Sequence, residues 1–143
     1  MDGFISGDLT CIRVDQFVLE KRVNRYRFTL AHELGHWYLH RDLYAQLSFG
    51  SIDEWKRFQI EVDETDYGWL EYQAYAFAGL VLVPTGHLKA QFQSAASAAE
   101  RIGFSRQSEP EAFYEFVIET LREIFEVSDA VIARRLRAEN LDR

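Results

Sequence analysis

Residues 29–39 read TLAHELGHWYL, and this stretch decides how the rest of the chain is interpreted. It holds two histidines four positions apart, His32 and His36, with Glu33 directly after the first. Residues four apart lie one above the other on one face of an α-helix, so both imidazoles can bind the same metal ion. Glu33 is displaced from that line and is expected to face a water molecule at the metal, which suits a general base.

The glycine inside this motif is informative because it weakens the predicted helix. Gly35 costs about 1 kcal/mol in a helix interior relative to alanine, and such a residue usually has a packing or close-approach reason. The flanking residues on both sides are apolar and compatible with a helix. An amphipathic helix that carries two histidines by chance is the alternative to a metal site.

Length, composition and charge bound the class of protein. The chain has 143 residues, which suits a single domain over residues 1–143. An apolar fraction of 48% and an aromatic fraction of 15% allow a substantial core. The formal net charge of −7 argues against nucleic-acid binding as the main role, because phosphate binding needs clustered lysine and arginine.

The sequence also predicts a compartment. Cys11 is the single cysteine, so no internal disulfide forms and a reducing cytosol is suitable. No stretch approaches the roughly 18 consecutive apolar residues of a membrane span. The first residues lack the basic segment and long apolar run of a secretory signal. We therefore expect a cytoplasmic protein without a membrane partner.

The hydrophobic pattern predicts a mostly helical α+β fold. Residues 4–19 are rich in strand-forming residues, and residues 11–15 alternate apolar with polar, which predicts a small N-terminal antiparallel sheet punctuated by Gly3, Gly7 and Asp8. A turn is predicted at Gly50-Ser51. Six helices are predicted, over about 24–40, 53–61, 67–82, 84–102, 110–125 and 129–139. Asn24 and Ser128 are the predicted N-caps of the first and the last helix. The third helix is expected to end near Pro84, and the fourth is expected to end at Gly103.

A catalytic zinc site normally needs a third protein ligand, and Glu71 is the strongest candidate. It opens an otherwise apolar helix, where an unpaired inward-facing carboxylate would be unfavourable. The alternative is a solvated charge that interacts favourably with the helix dipole. The residues alone leave both readings open. The other acidic residues after the motif are interpreted as a solvated loop: Asp63, Glu64 and Asp66.

Two further histidines, His40 and His87, are candidate ligands. His40 lies two turns beyond His32 on the same helix face. A third histidine on a straight helix is hard to bring to the same tetrahedral metal, which favours a supporting role outside the ligand set. His87 follows Pro84-Thr85-Gly86 and is expected to be exposed, unless that turn folds back over the site.

Two sequence blocks resemble the ImmA/IrrE family of zinc metallopeptidases. They are residues 27–36, RFTLAHELGH, and residues 71–84, which include EYQA, the pair Phe77-Ala78 and the exit LVLVP. The resemblance covers about Gly3 to Pro84 and implies a zincin-like fold. It also implies that His32, His36 and Glu71 bind zinc and that Glu33 is catalytic.

The resemblance implies a substrate class as well. Such peptidases cleave helix-turn-helix transcriptional repressors or antitoxins and thereby switch on stress-response, mobile-element or phage genes. Residues 125–130 and Arg135-Leu136 resemble the short helix-turn-helix-like stretch that follows the peptidase core. This suggests a core over about 1–103 and a C-terminal extension over about 104–143. The acidic charge favours a packing role for this extension over contact with DNA.

One position departs from the family pattern. Tyr75 stands where the family commonly has asparagine, one helical turn after Glu71 and on the same side. It either supports the ligand or offers its phenol to an oxyanion. The other candidates for that donor are Tyr72 and His87.

The sequence therefore predicts a zinc-dependent endopeptidase that cleaves a protein through metal-activated water. A non-catalytic, zinc-stabilised module that sequesters a repressor or toxin is the first alternative, and a regulator that contacts DNA is the second. Glu33 favours the enzyme, because a binding module does not need it. Mn²⁺, Fe²⁺ and Co²⁺ accept the same donors as Zn²⁺, and the oligomeric state is left open.

Overall fold

The computed structural model describes residues 3–6, 10–47, 51–61 and 64–142. Within them, two antiparallel strands precede seven helices, which confirms the predicted mostly helical α+β fold. Four residues of the predicted turns and acidic loop lie outside the described residues: Gly7, Asp8, Gly50 and Asp63. The elements are β1 (Gly3–Ile5), β2 (Ile12–Val14), α1 (Gln16–Lys21), α2 (Val23–Leu47), α3 (Ile52–Glu61), α4 (Glu64–Leu82), α5 (Thr85–Arg101), α6 (Pro110–Phe125) and α7 (Asp129–Ala138).

The N-terminal sheet is shorter than the strand-forming composition suggested. β1 pairs with β2 through Phe4 opposite Arg13, and Gly3 is part of β1 rather than a break before it. Residues 16–19, the end of the stretch rich in strand-forming residues, belong to the helix α1. The carboxylate of Asp15 accepts a hydrogen bond of 2.8 Å from the backbone N–H of Phe17 and so caps that helix.

The motif helix α2 is longer than predicted. It spans 25 residues and continues to Leu47 rather than ending at His40, since residues 41–46 contain neither glycine nor proline and Tyr44 is buried. The predicted N-cap was also wrong. Asn24 lies inside the first turn, after the helix has begun at Val23.

The predicted end of α4 at Leu82 is confirmed, and its start lies three residues earlier than expected. Glu64 and Asp66 are therefore exposed residues of the first helical turn, not of a loop. Carboxylates there interact favourably with the positive end of the helix dipole. That interaction accounts for a helix where acidic composition alone suggested a loop.

The contacts divide the chain into two compact units, residues 1–78 and 79–143. In the second unit α5 packs on α6 and α6 packs on α7. Both predicted helix boundaries are confirmed here. Gly103, just after α5, adopts a φ of 98°, and the Ser128 hydroxyl caps the N-terminus of α7. The core of this unit consists of buried side chains from residues 83–136, and the largest are Phe113, Leu88, Leu121, Ile132 and Leu136.

Within the helix-turn-helix-like stretch, Val127 and Leu136 are core side chains and Phe125 packs against that core. The prediction of one domain over residues 1–143 stays a prediction. The border between the two compact units lies at residues 78 and 79, earlier than the predicted border near residue 103.

In the first unit α2 is the central element, in contact with β1, β2 and α1. Its buried face carries Ala31 and Tyr44, and Ala74 and Ala78 are buried on the part of α4 that belongs to this unit. Gly3 lets β1 approach α2 closely, because a Cβ there would lie 2.6 Å from Cγ2 of Thr29. Among the described residues, no helix has the length and apolar character needed to cross a membrane.

Candidate metal centre

The two histidines of the motif lie on one face of α2, as the four-residue spacing predicts. Their rings meet edge to face with centroids 4.7 Å apart. Nε2 of His32 lies 3.1 Å from Nε2 of His36. Both rings therefore direct the same nitrogen to one point, and His36 is buried with 4% of its surface exposed.

Glu71 brings a carboxylate from α4 to the same point. Its Oε2 lies 3.2 Å from Nε2 of His32, and its Oε1 lies 3.2 Å from Nε2 of His36. Its side chain is 32% exposed, so Glu71 is not the freely solvated charge of the alternative reading. Among the described residues, these three side chains form the group able to hold a metal ion.

The donor set fits a tetrahedral divalent cation. A Zn²⁺ ion with bonds of about 2.0–2.1 Å has edges of about 3.3–3.4 Å between neighbouring ligand atoms. The three measured separations of 3.1–3.2 Å come close to this edge length. Two imidazole nitrogens and one carboxylate oxygen are donors that Zn²⁺ accepts, and they leave a fourth position for water or substrate.

The electrostatics of Glu71 favour the ionised form that a metal ligand needs. Burial acts to raise the pKa of this carboxyl, but the hydrogen bonds from His32 and His36 outweigh burial and lower the pKa well below its usual range. The carboxylate is therefore charged at neutral pH and available as a ligand.

Glu33 is held in a different environment from Glu71. It lies on α2 with only 8% of its surface exposed. Burial raises the pKa of Glu33, while the nearby imidazoles and a hydrogen bond from the backbone of Ile5 act to lower it. A carboxylate with a raised pKa is a better proton acceptor near neutral pH than a solvated one.

A buried polar cluster surrounds the side of His36 that faces away from Glu71. Nδ1 of His36 lies 3.1 Å from Nδ1 of His40 and 3.2 Å from the hydroxyl of Tyr44. Nε2 of His40 lies 2.9 Å from Oε1 of Gln73. Burial lowers the pKa of His40, although the hydrogen bond to Gln73 acts against it, and burial raises the pKa of Tyr44.

The sequence predicts that His40 lies outside the ligand set, and in the structure His40 contacts Nδ1 of His36, the ring nitrogen turned away from Glu71. Tyr44 and Gln73 were missed. The sequence spacing could have identified Tyr44, because it lies four residues after His40 and so continues the helix face of His32, His36 and His40. The signal for Gln73 was weaker, an amide two residues after Glu71 in an apolar stretch.

The three candidates for the oxyanion donor, Tyr75, Tyr72 and His87, lie in different surroundings. The ring of Tyr75 lies edge to face with His32 at a centroid distance of 4.9 Å and also packs against Phe28. Tyr72 is 61% exposed and stacks on Trp69. His87 is exposed on α5, in the second compact unit. Only Tyr75 of these three has a ring contact with a residue of the triad among the contacts that the structure describes.

Comparison with known proteins identifies the family. The peptidase M78 model, described as an IrrE N-terminal-like domain, matches residues 19–137. No curated protein and no solved structure matches the chain significantly. The family supports a metallopeptidase-type function, in agreement with the metal-binding geometry of His32, His36 and Glu71. Because the model spans most of the sequence, the chain belongs to the ImmA/IrrE family of metallopeptidases.

Proposed function

We propose that this protein is a zinc-dependent endopeptidase with His32, His36 and Glu71 as ligands and Glu33 as the catalytic base. The observation that carries the proposal is the convergence of three donor atoms at 3.1–3.2 Å beside a buried carboxylate on the same helix. A site that only stabilised the fold would need no such carboxylate, and a structural zinc normally has four protein ligands.

The proposed chemistry assigns one proton path to Glu33. When bound, the metal would act as a Lewis acid and lower the pKa of a water molecule towards about 7. The Glu33 carboxylate takes a proton from the attacking water. It then delivers that proton to the nitrogen of the leaving amine, so that the peptide bond breaks without a free charged amide. Its raised pKa suits both steps.

We propose that an extended substrate adds along the edge of β1 that faces away from β2, an edge on which no other strand pairs among the described residues. The N–H of Ser6 donates to the carbonyl of Cys11 across the hairpin at 2.8 Å. Backbone groups alternate in direction along a strand, so the N–H of Ile5 points to the edge away from β2. That N–H lies at Glu33. A peptide added along this edge would therefore pass the proposed base.

For the oxyanion we propose Tyr75 as the donor. It is partly exposed and its ring lies against His32, whereas Tyr72 stacks on Trp69. A phenol near a ligand imidazole is a suitable hydrogen-bond donor to the developing negative charge.

We further propose that the substrate is a helix-turn-helix repressor or antitoxin in the cytoplasm and that cleavage controls transcription, as in a stress response or a toxin–antitoxin pair. Support for this class comes from family membership. The net charge of −7 also suits a cationic partner such as a DNA-binding repressor.

The test compares the wild-type chain with Glu33→Gln. Each is loaded with Zn²⁺ and incubated with the helix-turn-helix proteins encoded beside its gene, and new termini are identified by mass spectrometry. We expect cleavage by the wild type, none by Glu33→Gln, and equal zinc content in both. Glu61→Gln makes the same change at an exposed position of α3 and should cleave normally.

Two results would count against the proposal. Cleavage by Glu33→Gln at the wild-type rate would remove Glu33 from the mechanism. Tight binding of a repressor without cleavage by either chain would support the sequestering module instead.

A further inference from the structure

A row of side chains on α2 leads from the proposed base, Glu33, to a group of exposed cations at the start of that helix. We propose that Arg22 and Arg25 form a subsite for acidic side chains of the substrate, about three to five residues from the bond that is cleaved. The inference rests on the proposed function, because it extends the path of a substrate along β1. It adds a sequence preference that the metal centre alone does not give.

β1 and α2 lie side by side and run in the same direction. A Cβ on Gly3 would lie 2.6 Å from Cγ2 of Thr29, and the backbone N–H of Ile5, two residues later, donates to Glu33. The four helical residues from Thr29 to Glu33 span about 6 Å, and two strand residues span about the same length. A substrate strand beside β1 therefore follows the axis of α2.

Arg25 continues the row beyond β1. It lies four residues before Thr29, which lies four residues before Glu33, so the three side chains share one face of α2. Arg25 is exposed in the first turns of α2, and Arg22 is exposed directly before that helix. Along the axis they lie about 12 Å and 16 Å from Glu33, distances that an extended chain covers in about four and five residues.

The charge at the start of α2 is opposite to that of the chain as a whole. Residues 21–32 contain four cationic residues and no acidic one, whereas the whole chain has a formal net charge of −7. The four are Lys21, Arg22, Arg25 and Arg27. Such a local field attracts carboxylates and repels cationic side chains. A substrate that is cationic overall can therefore still need acidic residues near the bond that is cleaved.

Helix stability does not account for these arginines. Cations near the start of a helix interact unfavourably with its dipole, and α2 has no acidic residue in its first turn to offset them. The guanidinium of Arg22 lies 5.8 Å from the ring centroid of Phe17. This contact restricts the Arg22 side chain, so less conformational entropy is lost when the side chain binds a carboxylate.

The first experiment measures the binding of short fluorescein-labelled peptides to the zinc-loaded Glu33→Gln chain by fluorescence anisotropy. The peptides consist of serine, threonine and valine, with a pair of glutamates near the N-terminus, a pair near the C-terminus, or glutamines at both places. Arg22→Gln together with Arg25→Gln removes the two charges. Lys56→Gln together with Arg57→Gln makes the same change of charge at exposed residues of α3 and is the matched control.

We expect one of the two glutamate peptides to bind more tightly than the glutamine peptide, and its identity gives the direction of the substrate strand. Loss of both arginines should weaken the binding of that peptide by roughly 3–10-fold, as for two exposed ion pairs, and leave the glutamine peptide unaffected. The control should retain the preference. Arg22→Lys together with Arg25→Lys keeps both charges and should retain most of it.

The second experiment examines cleavage. The zinc-loaded chain with Glu33 intact is incubated with a pool of peptides from a digested proteome, and the new termini are identified by mass spectrometry. Acidic residues should be enriched on one side of the cut, about three to five positions away. The enrichment should be absent when both arginines are replaced by glutamine.

Several results would overturn the subsite: equal binding of all the peptides, binding of none, an equal gain from glutamates at either end, or a preference that survives the loss of both arginines. The comparison of glutamate with glutamine peptides decides this even if the double variant fails to fold. Cleavage without enrichment of acidic residues would refute the subsite alone. A glutamate preference in binding without any cleavage would refute the proposed peptidase and retain the subsite.

Discussion

Gly35 on α2 faces the backbone of Ala74 on α4 so closely that a Cβ on Gly35 would lie 3.1 Å from both the Cα and the carbonyl oxygen of Ala74. The same Cβ would lie 3.1 Å from Cδ1 of Phe77. Gly35 lies between two proposed ligands in sequence, and Ala74 is three residues after the third. The absence of a side chain at position 35 therefore allows the close approach of the two helices that carry the proposed metal ligands.

This contact makes Gly35→Ala a sensitive probe of the site. Alanine should add about 1 kcal/mol of helix stability, but the α4 backbone must then shift by a few tenths of an ångström, and overpacking of this kind typically costs about 1–3 kcal/mol. We expect a net loss in the free energy of unfolding of about 1 kcal/mol. Zinc binding should weaken on the order of tenfold, because Glu71 moves with α4. Urea unfolding and dye competition measure the two effects.

Gly68→Ala is the matched control because Gly68 lies inside α4 and a Cβ there would meet no atom of the described residues within 4 Å. It should raise the free energy of unfolding by about 1 kcal/mol and leave zinc affinity unchanged. If Gly35→Ala behaved in the same way as Gly68→Ala, close approach would not be the reason for glycine in the motif.

The sequence predicted those parts of the site that depend on local spacing. His32 and His36 share a helix face because they are four residues apart, and the structure has both on α2. Glu71 was ambiguous from the residues alone, since an acidic residue near the start of an apolar helix suits either a ligand or a solvated charge. The structure brings Glu71 on α4 within 3.2 Å of both histidines on α2, and helical periodicity does not encode which two helices meet.

The misassigned boundaries have a similar cause. Asp15 caps a helix where strand-forming residues suggested a strand, and one side-chain hydrogen bond outweighed their weak intrinsic preference. The contact of Gln73 with the site was missed because it is made with His40, a residue 33 positions away on another helix. The helices and their order were accessible from the sequence, whereas contacts between distant side chains were not.

If Glu71 is a metal ligand, as proposed, Glu71→Ala should have a clear effect on zinc binding. The substitution removes one of three donors and leaves two imidazoles, so zinc affinity should fall by more than the roughly 10–100-fold typical of residues outside the ligand set. Elemental analysis without chelators should find about one zinc per wild-type chain and none in the variant. Glu64→Ala, on an exposed residue of the same helix, should retain the metal. Full zinc content in Glu71→Ala would exclude Glu71 as a ligand.

In the second compact unit, the hydrogen bonds of Glu139 should make the free energy of unfolding depend on pH. Hydrogen bonds from Thr85 and Arg135 lower the pKa of its carboxyl. Oε1 of Glu139 lies 2.8 Å from the Thr85 hydroxyl and 2.9 Å from Arg135, which also donates to the carbonyl of Val83 at 3.1 Å. A lowered pKa in the folded state means that the stabilisation is fully present above about pH 4.3, the unfolded value. This stabilisation is lost as the pH falls through the lower pKa that Glu139 has in the folded state.

The variant Glu139→Gln isolates this contribution. At pH 7 it should unfold at a lower urea concentration than the wild type, and the difference should shrink as the pH falls below about 4.3. Glu119→Gln, at an exposed position of α6, should show no comparable change. A difference between Glu139→Gln and the wild type that stayed constant from pH 7 to pH 3 would mean that packing, not charge, connects Glu139 to Arg135.

Variants of Tyr75 distinguish two possible roles beside His32, hydrogen bonding to the oxyanion and positioning of the imidazole. Tyr75→Phe keeps the ring and its edge-to-face contact with His32 but removes the hydroxyl. If the phenol donates to the oxyanion, kcat should fall by about 100-fold, while KM and zinc affinity stay near their wild-type values, because the donor acts only in the transition state. Tyr72→Phe, at the exposed tyrosine stacked on Trp69, should leave kcat unchanged. Normal turnover by Tyr75→Phe together with weaker zinc binding by Tyr75→Ala would instead assign Tyr75 to positioning the imidazole of His32.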